Sequence, residues 1–211
     1  MPGIDDLVQR AAGLGRPDRR ALLGICGAPG AGKTSLARTV VKRLRAAGVP
    51  VAHVPMDGFH LADAALRERG QLAAKGAIQT FDVHGYLSLL RRLRTERDHD
   101  VLAPDFERTL EQPLAAAIIV PPDTHIVVTE GNYLLDGTDA WPLVRAELDE
   151  VWFVDLDDGR RRSRLVERHV KFGKDRAAAQ TWVDEVDEPN ARRVIARRDT
   201  ADLVITEPAG G

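Results

Sequence analysis

The stretch Gly27-Ala28-Pro29-Gly30-Ala31-Gly32-Lys33-Thr34 fits the pattern G-x-x-x-x-G-K-[ST], and Ser35 follows it. These residue types at this spacing suit a phosphate cradle. Glycines let the backbone wrap so that several N–H groups point at phosphate oxygens. Lys33 reaches the β- and γ-phosphates, and the Thr34 hydroxyl is a magnesium ligand. A helix beginning here aims the positive end of its dipole at the same anion. An ordinary glycine-rich turn needs no lysine–hydroxyl pair, no strand before it and no helix after it. All three are present.

In an open α/β sheet, ligands sit beyond the carboxyl ends of the strands, so the residues that follow each strand carry the chemistry. The first strand ends in the phosphate loop. The second ends in Met56-Asp57-Gly58-Phe59-His60, the third in Glu130-Gly131-Asn132-Tyr133 and the fourth in Asp155. Asp57, with Gly58 leaving room beside it, is the expected base for an attacking hydroxyl. Glu130, at the end of a Val-Val-Thr strand, is the expected magnesium partner, with Asp155 a weaker candidate for that role. Asp157 and Asp158 are read as caps of the next helix. On that helix Arg161, Arg164 and Arg168 share one face at 3.6 residues per turn. Such a row suits triphosphate oxygens during phosphoryl transfer, or forms a solvated basic face.

Short apolar runs at 21–26, 49–55, 125–129, 151–154 and 202–206 read as strands, and they alternate with helical patterns at 34–47, 61–69, 84–96, 140–147, 159–171 and 176–197. A further short helix covers 4–15. This alternation predicts an α/β fold with a parallel sheet covered on both faces. Residues 97–124, with four prolines, read as a loop-and-hairpin excursion on the acceptor side. Residues 159–175 read as a helical lid, and 207–211 as a frayed tail. The chain is expected to form one domain over 1–211, with 44% hydrophobic and 29% charged residues among its 211. Thirty Lys and Arg against 32 Asp and Glu give a net charge of −2, which disfavours bulk nucleic-acid or membrane-surface binding. The lone Cys26 excludes an intrachain disulfide and is expected to be an inert core residue. The cytoplasm is the expected location.

Taken together, the P-loop, the Met-Asp-Gly-Phe turn, Phe81-Asp-Val-His84, Thr129-Glu-Gly131 and the arginine helix resemble the uridine kinase, phosphoribulokinase and type I pantothenate kinase superfamily. The resemblance runs from residue 21 to about 206. The Pro104-Asp-Phe-Glu-Arg108 turn and the chain length are similar to compact bacterial kinases of the nucleoside/nucleotide or fructose-transport-associated kind. The resemblance implies a five-stranded core of order 2-3-1-4-5, with ATP and Mg2+ as co-substrates. Carried over by position, it makes Asp57 the base, puts Asp82 and His84 on the acceptor, and closes Arg164 and Arg168 over the phosphates. It also implies a homodimer. Two departures leave the acceptor open: the lid continues as Arg168-His169-Val-Lys-Phe-Gly173, and the long pantothenate-side insertion is largely missing.

The function expected is ATP-dependent phosphorylation of a hydroxyl on a nucleoside, sugar or pantothenate-like metabolite. The alternative is a catalytically silent nucleotide-binding regulatory module. A GTPase needs Asn-Lys-x-Asp, but Asn132 and Asn190 are followed by Tyr-Leu and Ala-Arg. Asp57, Asp82 and Arg108 would suit a hydroxyl-rich acceptor, while a nucleoside would also want an aromatic shelf such as Phe59 or Phe106. Asp82 and His84, two apart in an extended segment, form an acceptor clamp or else an N-cap. Trp182 is expected to pack the lid helices against the core.

Overall fold

In the computed structural model, which describes residues 2–16 and 18–206, α1 (Ile4–Leu14) leads into β1 (Ala21–Gly27), α2 (Lys33–Ala46) and β2 (Val51–His53). Next come α3 (Asp63–Glu68), α4 (Val83–Thr95) and an antiparallel pair, β3 (Val101–Glu107) and β4 (Gln112–Val120). The chain continues through β5 (Ile126–Gly131), α5 (Trp141–Glu147), β6 (Glu150–Asp155), α6 (Asp158–Lys171), α7 (Arg176–Trp182), α8 (Glu188–Ile195) and β7 (Leu203–Thr206). The tail expected at 207–211 lies outside the described residues.

The main sheet runs β2-β5-β1-β6-β7, with every neighbouring pair parallel. With the hairpin strands left out, this is the expected order 2-3-1-4-5. β1 is buried along its whole length, and its side chains alternate between the two faces. Leu22 and Cys26 join one core with Tyr86 and Leu90 of α4 and Trp141 of α5. Leu23 and Ile25 join the other with Leu7 of α1 and with Ala37, Val40 and Leu44 of α2. A central strand buried on both faces explains the unbroken apolar run Ala21–Cys26.

Prolines set several boundaries. β2 pairs over only three residues because Pro50 and Pro55 flank it and neither has an N–H to give. The register of β3 against β4 shifts between Ala103 and Asp105, at Pro104. The helix expected over 176–197 is interrupted by a π-helical turn, Val183–Asp187, just before Pro189 in the first turn of α8. Among the described residues, no helix is long and apolar enough to cross a membrane.

The hairpin is rooted by a charge. Arg20, fully buried beside β1, donates to the carbonyls of Leu93 (2.8 Å) and Glu96 (3.1 Å) ahead of the hairpin. It also donates to those of Pro121 (2.8 Å) and Thr124 (3.1 Å) behind it. These bonds compensate the desolvation that holds its pKa below the usual value.

His53, in β2, has no partner for Nε2, and burial, reinforced by Arg38 and opposed by Asp105, lowers its pKa to about 4. The unfolded chain takes up that proton first, so stability falls as pH drops from about 6.5 towards 4. The expected loss from this group by pH 4.5 is about 2 kcal/mol, or roughly 5 °C in melting temperature. His53→Gln removes the effect, so between pH 7 and 4.5 the melting temperature of wild type should fall roughly 5 °C further than that of the variant. A gap that stays constant over that range refutes it.

Candidate active site

Gly27 ends β1, Ala28, Pro29, Gly30, Ala31 and Gly32 form the turn to α2, and Lys33, Thr34 and Ser35 open the helix. Gly30 and Gly32 have φ of 80° and 97°, in the left-handed region that favours glycine. The turn is also tightly enclosed. A Cβ on Gly30 would stand 2.8 Å from Leu165 Cγ and 2.9 Å from the Arg161 carbonyl of α6.

At the start of α2 the Thr34 hydroxyl donates to Glu130 Oε1 at 2.8 Å. Glu130 is 1% exposed, and its Oε2 has no hydrogen-bond partner among the described residues. Burial raises its pKa, while Lys33 pulls in the opposite direction. A hydroxyl with its lone pairs still available, beside an unpaired buried carboxylate oxygen, is the donor set of a hard cation such as Mg2+. The residues present therefore fit the metal. Asp155 is instead engaged by Arg198 at 3.3 Å.

Asp57 sits in a single 3-10 turn, Met56–Phe59, directly after β2. Its carboxylate faces Arg108 across 3.3 Å, and its carbonyl lies 2.8 Å from His60 Nδ1. The His60 ring packs against Phe81 (4.0 Å between centroids) and Phe106 (4.7 Å). Gly58 is what lets the hairpin come this close, since a Cβ there would stand 2.5 Å from the Pro104 carbonyl oxygen. Lys75 ties the far end, binding Asp63 at 2.6 Å and the Glu111 carbonyl. β3 and β4 thus form a docked wall over the Asp57 turn.

A cavity of about 450 Å³ opens between that wall, the phosphate loop and α6–α8. Lys33, Thr34, Asp57, Arg108 and Arg168 all line it. Arg164 lies over the loop, its Nη1 3.6 Å from where a Cβ on Gly32 would be. Arg161, by contrast, is 1% exposed and serves as an anchor, donating to Asp158, Glu188 and the Pro29 carbonyl.

Two expected acceptor residues fall elsewhere. Asp82 caps α4, accepting from Gly85 N at 2.8 Å, and exposed His84 lies 3.6 Å from Asp139. Neither lines the cavity. Helix capping absorbs Asp82 because the extended segment ends there. Trp182, expected to pack the lid helices against the core, lines the cavity with the Lys174 ammonium 4.3 Å over its ring, and α6 and α7 pack together through Leu165, Val166, Ala179 and Val183. Sequence reasoning missed Lys75, Lys174, His169 and Asp187 on the cavity wall. Of these only His169 lay in a segment the sequence had singled out, the lid departure Arg168–Gly173, and without a role. Cys26 is buried, its pKa pushed up to about 12, as an inert thiol should be.

The sequence model of the Phosphoribulokinase / Uridine kinase family matches residues 22–207. A candidate uridine kinase of Schizosaccharomyces pombe is 30% identical over 98% of this chain and 92% of its own length. An ATP-dependent kinase-like protein of Aspergillus versicolor is 35% identical over 68% and 88%, respectively. Among solved structures, a candidate fructose transport system kinase from Silicibacter sp. TM1040 superposes with a TM-score of 0.88 at 34% identity, covering 97% of this chain and 100% of that one.

The close approach at Gly58 makes a direct prediction. Gly58→Ala must push the hairpin off the Asp57 turn, with an expected stability loss of about 1–3 kcal/mol. Gly13→Ala, in α1 with nothing within 4 Å of the new carbon, should be neutral or stabilising. Urea unfolding of the two variants tests this; equal midpoints would sink it.

Proposed function

Because the chain belongs to the Phosphoribulokinase / Uridine kinase family, and is a P-loop kinase working with ATP and Mg2+, we propose that it phosphorylates a hydroxyl of a small metabolite held in the 450 Å³ cavity. One observation carries the reading. Lys33 and Thr34 of the phosphate loop and the carboxylate of Asp57 line the same space. A nucleotide bound on the loop and an acceptor hydroxyl at Asp57 therefore meet without rearrangement of the sheet.

In this reading Asp57 Oδ takes the proton of the acceptor hydroxyl as its oxygen attacks the γ-phosphorus. The new O–P bond forms while the bond to the β–γ bridging oxygen breaks, and ADP leaves. Lys33, Arg164 and Arg168 balance the charge that spreads over the transferring group. Thr34 and Glu130 would hold Mg2+, which when bound neutralises the β- and γ-phosphate oxygens. Asp57, Arg108 and the hairpin wall orient the acceptor and exclude water. Asp82 and His84, outside the cavity, have no part in it.

The test is ADP release from ATP and Mg2+ across a panel of hydroxyl acceptors. Asp57→Asn is expected to lower kcat about 10²- to 10⁴-fold, the usual share of a general base, and to leave ATP affinity within about twofold. Full activity in that variant would remove Asp57 from the chemistry. ATP binding with no acceptor-dependent turnover in the wild type would favour a silent regulatory module.

A further inference from the structure

The cavity's charges do not all find partners inside the chain. Asp57 faces Arg108 at 3.3 Å, Asp63 holds Lys75 at 2.6 Å and Asp187 holds His169 at 2.8 Å. Three further cations line the same space, and Lys33, Arg168 and Lys174 have no carboxylate at ion-pair distance among the described residues. Against them stand two lining carboxylates, exposed Glu111 and Asp187, whose hydrogen bond to His169 cancels no charge when that ring is neutral. Lys33 answers to the nucleotide. Arg168 serves the transferring phosphate, and Lys174, over the Trp182 ring, stands against Glu111, so Arg108 is the cation that meets the acceptor at Asp57.

The Asp57–Arg108 pair sharpens this. A hydroxyl that gives its proton to Asp57 must come within about 2.6–3.2 Å of that carboxylate. It then arrives beside the guanidinium that already touches the same carboxylate. A neutral acceptor loosens the pair and gives Arg108 only a weak oxygen in return. An acceptor with an anionic group one or two carbons from its hydroxyl engages both partners, with the hydroxyl on Asp57 and the anion on the planar fork of Arg108.

The two rings expected to form a base shelf are both partnered within the chain. A nucleoside base needs an open face, but Phe59 packs on Tyr86 with 5.1 Å between centroids. Phe106 is flanked by His60 at 4.7 Å and by the Lys75 ammonium at 5.6 Å. Both expected shelves are engaged by neighbours, while Phe172, 56% exposed, also lines the cavity and makes uridine the necessary control.

We propose that the acceptor is a small hydroxy-anion, a polyol bearing a carboxylate or phosphate near the hydroxyl that is phosphorylated, and that Arg108 is the residue that selects it. The proposal rests on the kinase reading above. It makes Arg108 a specificity determinant as well as a neighbour of the base.

The test uses matched acceptor pairs with the full chain, ATP and Mg2+: glycerate against glycerol, gluconate against glucose, ribose 5-phosphate against ribose, with uridine alongside. Turnover is expected for an anionic member of a pair and to be far weaker for its neutral partner. The first two pairs read a carboxylate and the third a phosphate. Arg108→Gln should raise KM for the productive acceptor about 10- to 100-fold, the loss of one charge-assisted bond, with a smaller change in kcat. Arg108→Lys, which keeps the charge and loses the fork, should fall between. Uridine or a neutral polyol used as efficiently as its anionic counterpart would overturn the proposal and leave the kinase reading standing. So would an anion preference unchanged in Arg108→Gln. Absence of turnover with every acceptor would overturn both.

Discussion

The phosphate loop and the arginine helix share one point of contact so close that each fixes the other. Gly30 has no room for a side chain against Leu165 and the Arg161 carbonyl. The Arg161 guanidinium then turns back to the Pro29 carbonyl and to Glu188 of α8. A charge this deeply buried is tolerated only because its donors are met on several sides. The direction of α6 follows from that anchor, and with it the position of Arg164 over Gly32 and of Arg168 on the cavity wall. Of three arginines on one helical face, the first holds the helix down so that the other two face the loop and the cavity.

The opposite wall is built by a second close approach. Gly58 admits the Pro104 carbonyl, and the Phe106–His60 contact and the Lys75 bonds to Asp63 and Glu111 secure it. The carboxylate turn and the hairpin are therefore one packed piece, although they come from separate parts of the sequence. The π-helical turn before Pro189 brings Val186 and Asp187 onto the cavity from the third side. Irregular backbone is found where the walls meet, while the sheet behind them is regular.

What the sequence made legible was local. The strand–loop–helix around Lys33 is readable because its glycines and lysine obey a fixed spacing, and the parallel sheet because Ala21–Cys26 and Ile126–Thr129 are continuous apolar runs. Strand ends pointed to Asp57 and Glu130 by the same local logic. The illegible parts depend on contacts between distant segments. Nothing near Arg161 in the chain announces that Glu188 and Pro29 will bury it, and nothing near Trp182 that Lys174 will cover its ring beside the cavity. Asp82 was ambiguous because capping and ligand binding ask for the same residue type at the same kind of boundary, and only the Gly85 N–H decides between them.

The root of the hairpin has a consequence of its own. Arg20 grips carbonyls on both sides of the segment, those of Leu93 and Glu96 before it and of Pro121 and Thr124 after it. The two ends are thus clamped to the edge of β1 by one side chain, independently of what lies between them. The hairpin's base is fixed at both ends, and Val101, Ala103 and Val120 join it to the core shared with Leu22 and Cys26 of β1. A change at the ribbon's tip, around Arg108 to Glu111, therefore leaves its base held, whereas one at Val101 or Val120 reaches the core beneath the sheet.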